Sequence, residues 1–358
     1  MSGPRVPPCG FNTIADIQWM SENIAQPSAK VIHRNAVWPL AFSSMSQASI
    51  RSRALAVLAY TVVRPLSAVL PANRTSVALI RLGIRILCQA IAPVRGTLIE
   101  SGPAEMAGEW VRAPGTDDAA GVVLLLHGSG YAFCSPRTHR GFASHISRHS
   151  GLPVFVPQYR LAPEHRFPAA QTDVFAAYRW LLRQGYSSTQ ITIVGDSAGG
   201  HLAIAVARLA REEGLPTPAA LVLFGPLIDP SFETAMADKR ARRSPLSPRA
   251  GQRILRLYIG DHDVSDPQLS VLNAPGNHLP PIQLHYGSLE VMRSEAEKFA
   301  AHVNRAGGSC TEFVWPALFH GFWMAPALLP EAYESVRTAG QFLRQAVTGH
   351  SRGAVSTG

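Results

Sequence analysis

The sequence predicts an α/β fold with a mostly parallel central sheet flanked by helices. Three observations carry this reading. Short runs rich in β-branched residues and leucine (Gly121–Leu126, Ile191–Val194, Ile282–Tyr286 and Cys310–Trp315) read as buried strands. The stretch Ala198–Glu213, rich in Ala, Leu and Arg, follows the second run almost at once and reads as a helix. A chain of 358 residues, 46% hydrophobic and only 16% charged, is long enough for one large α/β domain with an added lobe and excludes a disordered protein.

The elements divide in order along the chain. Residues 1–30, with Pro4, Pro7, Pro8 and Pro27, read as a loosely ordered arm. Residues 31–95 read as helices with breaks at Pro65, Pro71 and Pro93. Residues 96–348 hold the strands and form the core domain. Residues 349–358 are small and polar and read as a flexible tail. The segment Ser231–Pro248 separates two core strands without strong periodicity. No internal repeat is present.

The chemistry concentrates where strands end. Ile191–Val194 passes through Gly195-Asp196-Ser197-Ala198-Gly199 into the helix. A strand that turns abruptly into a helix forces the residue at the turn into a strained backbone and thrusts its side chain outward. Close neighbours must then be small, which is the reason for Gly195 and Gly199. Ser197 is therefore a candidate nucleophile at a helix amino end, where the macrodipole favours negative charge. Upstream, the strand Gly121–Leu126 ends in His127-Gly128-Ser129-Gly130-Tyr131. Glycines directly after a strand let backbone N–H groups face a cleft, as acyl transfer requires for its oxyanion. His127 precedes this turn and braces it.

A serine nucleophile needs a base, and the base needs an acid that holds its tautomer. Thirteen histidines compete. His320 lies in the loop after the strand Cys310–Trp315. His285 falls inside a strand and reads as structural, and His201 sits in the helix after Ser197. For the acid, Glu290 lies at the carboxyl end of the strand Ile282–Tyr286. Glu295, on the first turn of a helix that begins near Ser294, is the alternative. Asp261, Asp263 and Asp266 sit in a turn-rich segment and read as caps.

The chain resembles the bacterial hormone-sensitive-lipase family of α/β-hydrolases. The likeness runs in collinear order through Leu126-His127-Gly128-Ser129-Gly130-Tyr131, Ser135-Pro136-Arg137-Thr138-His139-Arg140, the run Tyr159 to Ala170, Gly195-Asp196-Ser197-Ala198-Gly199-Gly200-His201, Asp266–Ser270 and Val314–Phe322. It implies an α/β-hydrolase fold with a helical cap, drawn from residues 31–95 and extended by Ser231–Pro248. It implies Ser197 as nucleophile and His320 as base. Glu290 falls where the family has Asp. The oxyanion donors implied are the amides of Ser129, Gly130 and Ala198, with His127, Gly128, Gly195, Asp196 and Gly199 shaping loop and turn. Two departures stand out. Ser129 replaces a glycine, at a strain of about 1 kcal/mol if its φ is positive, and its hydroxyl is placed either to donate to the oxyanion or to crowd the acyl group. Glu290 is one methylene longer than Asp.

The expected activity is hydrolysis of short to medium acyl esters through a Ser-His-Glu triad and an acyl-enzyme. A membrane-associated lipase for longer chains and a non-catalytic binder on the same fold are the alternatives. The formal net charge of +9 comes from scattered charges, three Lys and thirty Arg, with one cluster at Lys239–Arg243 and no nucleic-acid motif. Cys9, Cys88, Cys134 and Cys310 lie far apart, so neither disulfides nor a metal site are expected, and no cofactor is needed. No signal pattern is seen, which suits a cytoplasmic protein. The apolar run Ala54–Val63 is too short to span a bilayer. As a cap helix it packs over the site. Flanked by Arg51, Arg53 and Arg64, it also suits a peripheral membrane contact. A homodimer is compatible with the sequence.

Overall fold

The computed structural model describes residues 48–354, apart from residues 70, 90 and 274. The arm at residues 1–30 and the first part of the helical region lie outside the described residues. The strands are β1 (Leu98–Ser101), β2 (Gly108–Arg112), β3 (Val122–Leu126), β4 (Val154–Pro157), β5 (Ile191–Asp196), β6 (Ala220–Phe224), β7 (Ile282–Gly287) and β8 (Cys310–Trp315). They form one sheet in the order β1-β2-β4-β3-β5-β6-β7-β8. Only β2 runs antiparallel to its neighbours; β4, β3, β5, β6, β7 and β8 are mutually parallel. This is the α/β-hydrolase architecture.

Alternation along the strands sorts the core into two layers. Val122, Leu124 and Leu126 of β3 face one side, with α4 (Ala169–Arg183) and α5 (Ala198–Glu212). Val123 and Leu125 face the other, against Phe142 and Ile146 of α3 (Pro136–Ser150) and Val336 and Leu343 of α9 (Pro330–Ala354). Strands β3 and β5 are fully buried on both faces, which is why they read as unbroken apolar runs.

The topology decides where a site can form. After β3 the chain crosses to β4 on one side, and after β5 it continues to β6 on the other. The carboxyl ends of β3 and β5 therefore border the crevice where the strand order reverses, the usual ligand site of open parallel sheets. The loop His127–Tyr131 and Ser197 both lie there.

Helices α1 (Ile50–Val69) and α2 (Arg74–Gln89) precede the sheet in the chain. The Glu331 carboxylate of α9 accepts the Ser52 hydroxyl at 2.7 Å and the Ser49 hydroxyl at 3.1 Å, which fixes the start of α1. Its far end is held by Arg64 to the Ser244 carbonyl at 2.6 Å. Arg253, from α7 (Pro248–Ile259), donates to the Ser67 carbonyl at 2.6 Å. Two local expectations need correction. Pro65 lies inside α1 and does not break it. The carbonyl its missing N–H would have met belongs to Thr61, an exposed residue, so the lost bond is not one buried in the core. The helix α9 runs to Ala354, so the first six of the ten residues read as a tail, from Gly349, are helical. Its length is set by packing of the preceding turns, not by the propensity of the end.

Candidate active site

Ser197 is the residue between β5 and α5, and its backbone takes φ 54° and ψ −120°. That conformation is costly for any residue with a Cβ and persists only where the surroundings enforce it. Here the Ser197 amide donates to the Phe224 carbonyl at 2.8 Å, while its own carbonyl accepts from Leu227 at 2.9 Å. The glycines around it are sterically required. A Cβ on Gly195 would lie 2.2 Å from the Gly199 carbonyl oxygen, and one on Gly199 would lie 1.9 Å from that of Leu126. The turn can be tight only because both side chains are absent.

His320 reaches this serine from the loop after β8. Its Nε2 lies 2.9 Å from Ser197 Oγ and its Nδ1 lies 2.9 Å from Glu290 Oε1. The arrangement fixes one tautomer: Nδ1–H donates to the carboxylate, and Nε2 accepts the serine hydroxyl. The two loops are stitched together. Leu289 donates to the Leu318 carbonyl at 2.8 Å, Ala317 to Ser288 Oγ at 2.9 Å, and a Cβ on Gly287 would lie 2.0 Å from the Leu318 carbonyl. Glu290 is inaccessible, whereas the His320 side chain keeps 20% of its surface exposed toward the crevice. Burial works to lower the His320 pKa, but the charge and hydrogen bond of Glu290, aided by Asp196, outweigh it. The imidazole therefore titrates above its ordinary 6.5.

Glu295 is not part of this chain. Its Oε2 accepts the Asp229 amide at 3.0 Å. It is fully buried, and burial pushes its carboxyl well above the ordinary carboxylate range, with the charges of Asp229 and Glu290 adding to the effect.

The loop after β3 turns through three consecutive residues of positive φ: Ser129 at 90°, Gly130 at 58° and Tyr131 at 61°. Ser129 thus occupies a position that favours glycine. Its hydroxyl compensates within the loop: it donates to the Gly128 carbonyl and accepts the Cys134 amide at 2.8 Å. The hydroxyl is turned into the loop, where both of its partners are backbone groups. Gly128 donates to Asp196 Oδ1 at 2.9 Å, and a Cβ there would lie 2.5 Å from both Asp196 O and Oδ2. His127 braces the same turn. The Tyr159 hydroxyl donates to the His127 carbonyl at 2.6 Å, the two rings stack at 4.1 Å, and burial drives the His127 pKa down to about 3.

One participant was not singled out from the sequence. His139 of α3 is buried and places Nε2 3.2 Å from Asp196 Oδ1, the oxygen that also holds Gly128. Burial works to raise the Asp196 carboxyl, but His139 prevails and holds it below its ordinary 3.8. His139 lies in the Ser135–Arg140 motif, so a signal was present, but nothing local links it to a residue 57 positions away. His201 and His285 have structural partners. His201 meets the Leu269 carbonyl at 2.9 Å, and His285 stacks on Phe313 at 4.7 Å inside the core. Tyr131, Phe322 and Trp323 are buried core aromatics, and of the four aromatics flanking the motifs only Phe133 is half-exposed. No group of side chains suited to a metal occurs among the described residues, and Cys88, Cys134 and Cys310 are free thiols.

Residues 123–324 match a family model described as an alpha/beta hydrolase fold. Over 315 residues the chain is 31% identical to the carboxylesterase/phospholipase LipF of Mycobacterium tuberculosis, covering 85% of this chain and 84% of that one. An acetyl-hydrolase of Streptomyces hygroscopicus is 37% identical over 239 residues, 66% of this chain and 79% of its own. A crystal structure of an esterase from the bacterial hormone-sensitive lipase family superposes with a TM-score of 0.75 at 32% identity, over 82% of this chain and 98% of that one. The chain belongs to the bacterial hormone-sensitive-lipase family. This family of α/β-hydrolases cleaves esters, and its substrates are small-molecule esters. Within it, the present member carries Ser129 in the loop after β3 and Glu290 at the end of β7.

Proposed function

We propose that this member hydrolyses carboxylic esters through Ser197, His320 and Glu290. The observation that carries the reading is the unbroken hydrogen-bonded chain Ser197 Oγ–His320 Nε2 and His320 Nδ1–Glu290 Oε1, with both links at 2.9 Å. In the acylation half, Ser197 Oγ attacks the acyl carbon as His320 Nε2 takes its proton. The tetrahedral oxyanion that results is received by the amides of Ser129, Gly130 and Ala198. His320 then protonates the leaving alcohol, which departs and leaves the acyl-serine. A water molecule, deprotonated by the same nitrogen, releases the acid and restores the serine. Glu290 keeps the imidazole in the required tautomer and balances the imidazolium formed twice per turnover. The elements supporting the oxyanion loop are Gly128, His127 and Asp196.

For substrates, we infer short to medium acyl esters, on the reading that a cap drawn from residues 31–95 covers the crevice and limits the size of what enters it. The division into arm, cap, core and tail is part of the same reading.

A fluorophosphonate probe tests the triad directly, since it phosphonylates only a serine whose base is assembled. Wild-type protein becomes labelled on Ser197, and Ser197→Ala does not. Equal labelling of both proteins refutes the assignment, and no labelling of a folded wild type favours a non-catalytic binder. A series of p-nitrophenyl esters tests the size limit. Rates that keep rising beyond about ten carbons, more than a pocket of drug-like volume accommodates, refute it.

A further inference from the structure

Helices α1 and α2 carry their apolar residues on the outside. In α1, Ile50, Leu58, Val62, Leu66 and Val69 are exposed, Leu58 by 58%. With Ala54, also exposed, they recur at three- or four-residue steps and so form one stripe along the helix. In α2, Leu79, Leu82 and Ile86 form a second stripe, with Leu79 64% and Ile86 60% exposed. In that helix Ser76 and Val77 are buried. Arg81 points at the body of the protein, where it forks onto Glu164 at 2.9 Å and donates to the Ala132 and Ala162 carbonyls at 2.7 and 2.8 Å. A helix on a water-facing surface buries its apolar stripe, whereas α2 leaves Leu79, Leu82 and Ile86 exposed. Exposed apolar stripes of this kind mark an interaction face.

The charge of the segment says what the face meets. Between Asn23 and Ile99 there is no Asp or Glu, against eight Arg and one Lys. This stretch alone accounts for the whole formal excess of +9, so the remainder of the chain is balanced. The charges are thus segregated, not scattered. Arg51, Arg74 and Arg85 are exposed on or at the ends of the same two helices.

We propose that the outward face of α1 and α2 docks the protein on an anionic lipid surface. Apolar stripes flanked by arginine and free of carboxylates are the composition of helices that lie in the interface plane, with side chains among the acyl groups and guanidinium groups among the phosphates. A second copy fits less well, because a two-fold contact would set one acid-free, arginine-bearing face against another. The chain's own first 47 residues bring only Asp16 and Glu22 to set against those arginines. No helix among the described residues is long and apolar enough to cross a membrane, so the contact is a surface one. Docking would bring the catalytic crevice to the interface. Arg253 of α7 holds the end of α1, and the next residue, Ile254, packs so close to Gly130 that a Cβ there would lie 2.6 Å from it.

The test is co-sedimentation of the full chain with vesicles of pure phosphatidylcholine and with vesicles containing one third phosphatidylglycerol. The expected result is partitioning to the anionic vesicles about tenfold or more stronger than to the neutral ones, weakened by salt. Leu58→Glu/Leu82→Glu should lose about tenfold or more of that binding, and Arg51→Glu/Arg85→Glu should lose the preference for anionic lipid. Hydrolysis of a dissolved p-nitrophenyl ester should stay unchanged in both variants. Equal binding to the two vesicle types, or none, overturns the proposal. If the wild type is a dimer that Leu58→Glu/Leu82→Glu dissociates, and it does not bind vesicles, the occupant is a second copy. If a monomer without vesicle binding already shows strong amide-exchange protection of both helices, the occupant is the chain's own amino-terminal segment.

Discussion

Ser197 lies between two carboxylate–histidine pairs. Glu290 and His320 come from the loops after β7 and β8 and face the crevice. Asp196 and His139 come from the end of β5 and from α3 and are buried behind the serine. The atoms are alike, but the settings separate them. His320 keeps an open edge and a second ring nitrogen on the serine hydroxyl, so its proton can move. The second nitrogen of His139 meets only the Thr138 hydroxyl, 3.1 Å away, and Asp196 spends the same oxygen on the Gly128 amide. In the proposed mechanism one pair exchanges a proton and the other holds a loop. Which pair does chemistry is decided by access to the crevice and not by residue type.

The largest effect expected is at the serine both pairs adjoin. Ser197→Ala should remove ester hydrolysis by a factor of about 10⁴ or more while leaving circular dichroism and Tm intact, since only the attacking oxygen is lost. Activity on a p-nitrophenyl ester close to that of the parent would show that neither pair serves Ser197.

Next comes the open pair. Glu290→Gln should lower kcat by about 10²–10⁴-fold, because the imidazole loses its orienting and charge-balancing partner. It should also move the pH profile. In the wild type, only neutral His320 is a base, and its pKa is raised, so kcat/KM should climb with pH through a midpoint above 6.5. Removing the Glu290 charge lowers that pKa, and the midpoint should shift downward. A midpoint that does not move would break the link between this carboxylate and the base.

The buried pair should cost less. Asp196→Asn should reduce kcat by no more than the 10²–10³-fold or so that a lost oxyanion donor costs, because Asp196 acts through the position of Gly128. The stability signature differs too. A carboxyl held below its ordinary 3.8 contributes stability that is full above that value and is lost as pH falls through the lower, folded one. The wild type should therefore shed this part of its stability only at strongly acidic pH, and Asp196→Asn should lack that component of the acid transition. A larger kcat loss in Asp196→Asn than in Glu290→Gln would invert the roles assigned to the two pairs.

Ser129 and Glu295 sharpen the comparison with smaller effects. Ser129→Gly relieves about 1 kcal/mol of left-handed strain but removes hydroxyl bonds worth about 1 kcal/mol each. Activity on primary esters should change by no more than about fivefold, since that is about 1 kcal/mol, while esters of tertiary alcohols gain relatively more. Ser129→Ala keeps the strain and loses the bonds, so its Tm should fall below that of Ser129→Gly. The reverse order in thermal melts would show that the hydroxyl does not support the loop. Glu295→Gln should leave kcat nearly unchanged, because its carboxyl is already biased to the neutral form. A loss comparable to that of Glu290→Gln would make Glu295 the triad acid.

The parallel sheet, the sharp turn and the chain order of the proposed triad residues are legible in the sequence alone. Those features are local: fully buried strands such as β3 and β5 must be apolar throughout, and a tight strand-to-helix turn tolerates nothing larger than Gly195 and Gly199. His320 was legible as the residue in the loop after the last strand, whose limits, Cys310–Trp315, match the run read from the sequence. The edge strands β1 and β2 were not legible, because short, half-exposed segments carry no strong pattern. Glu290 and Glu295 stand five residues apart on either side of a helix start, and only the packing of two loops shows that it is Glu290 that meets His320. Tertiary structure alone recruited His139, turned the Ser129 hydroxyl inward and put the leucines of α2 on the outside. Each of these depends on what lies across a fold boundary, and a side chain's partner there is set by how sheet, helices and loops close on one another, which composition and spacing do not encode.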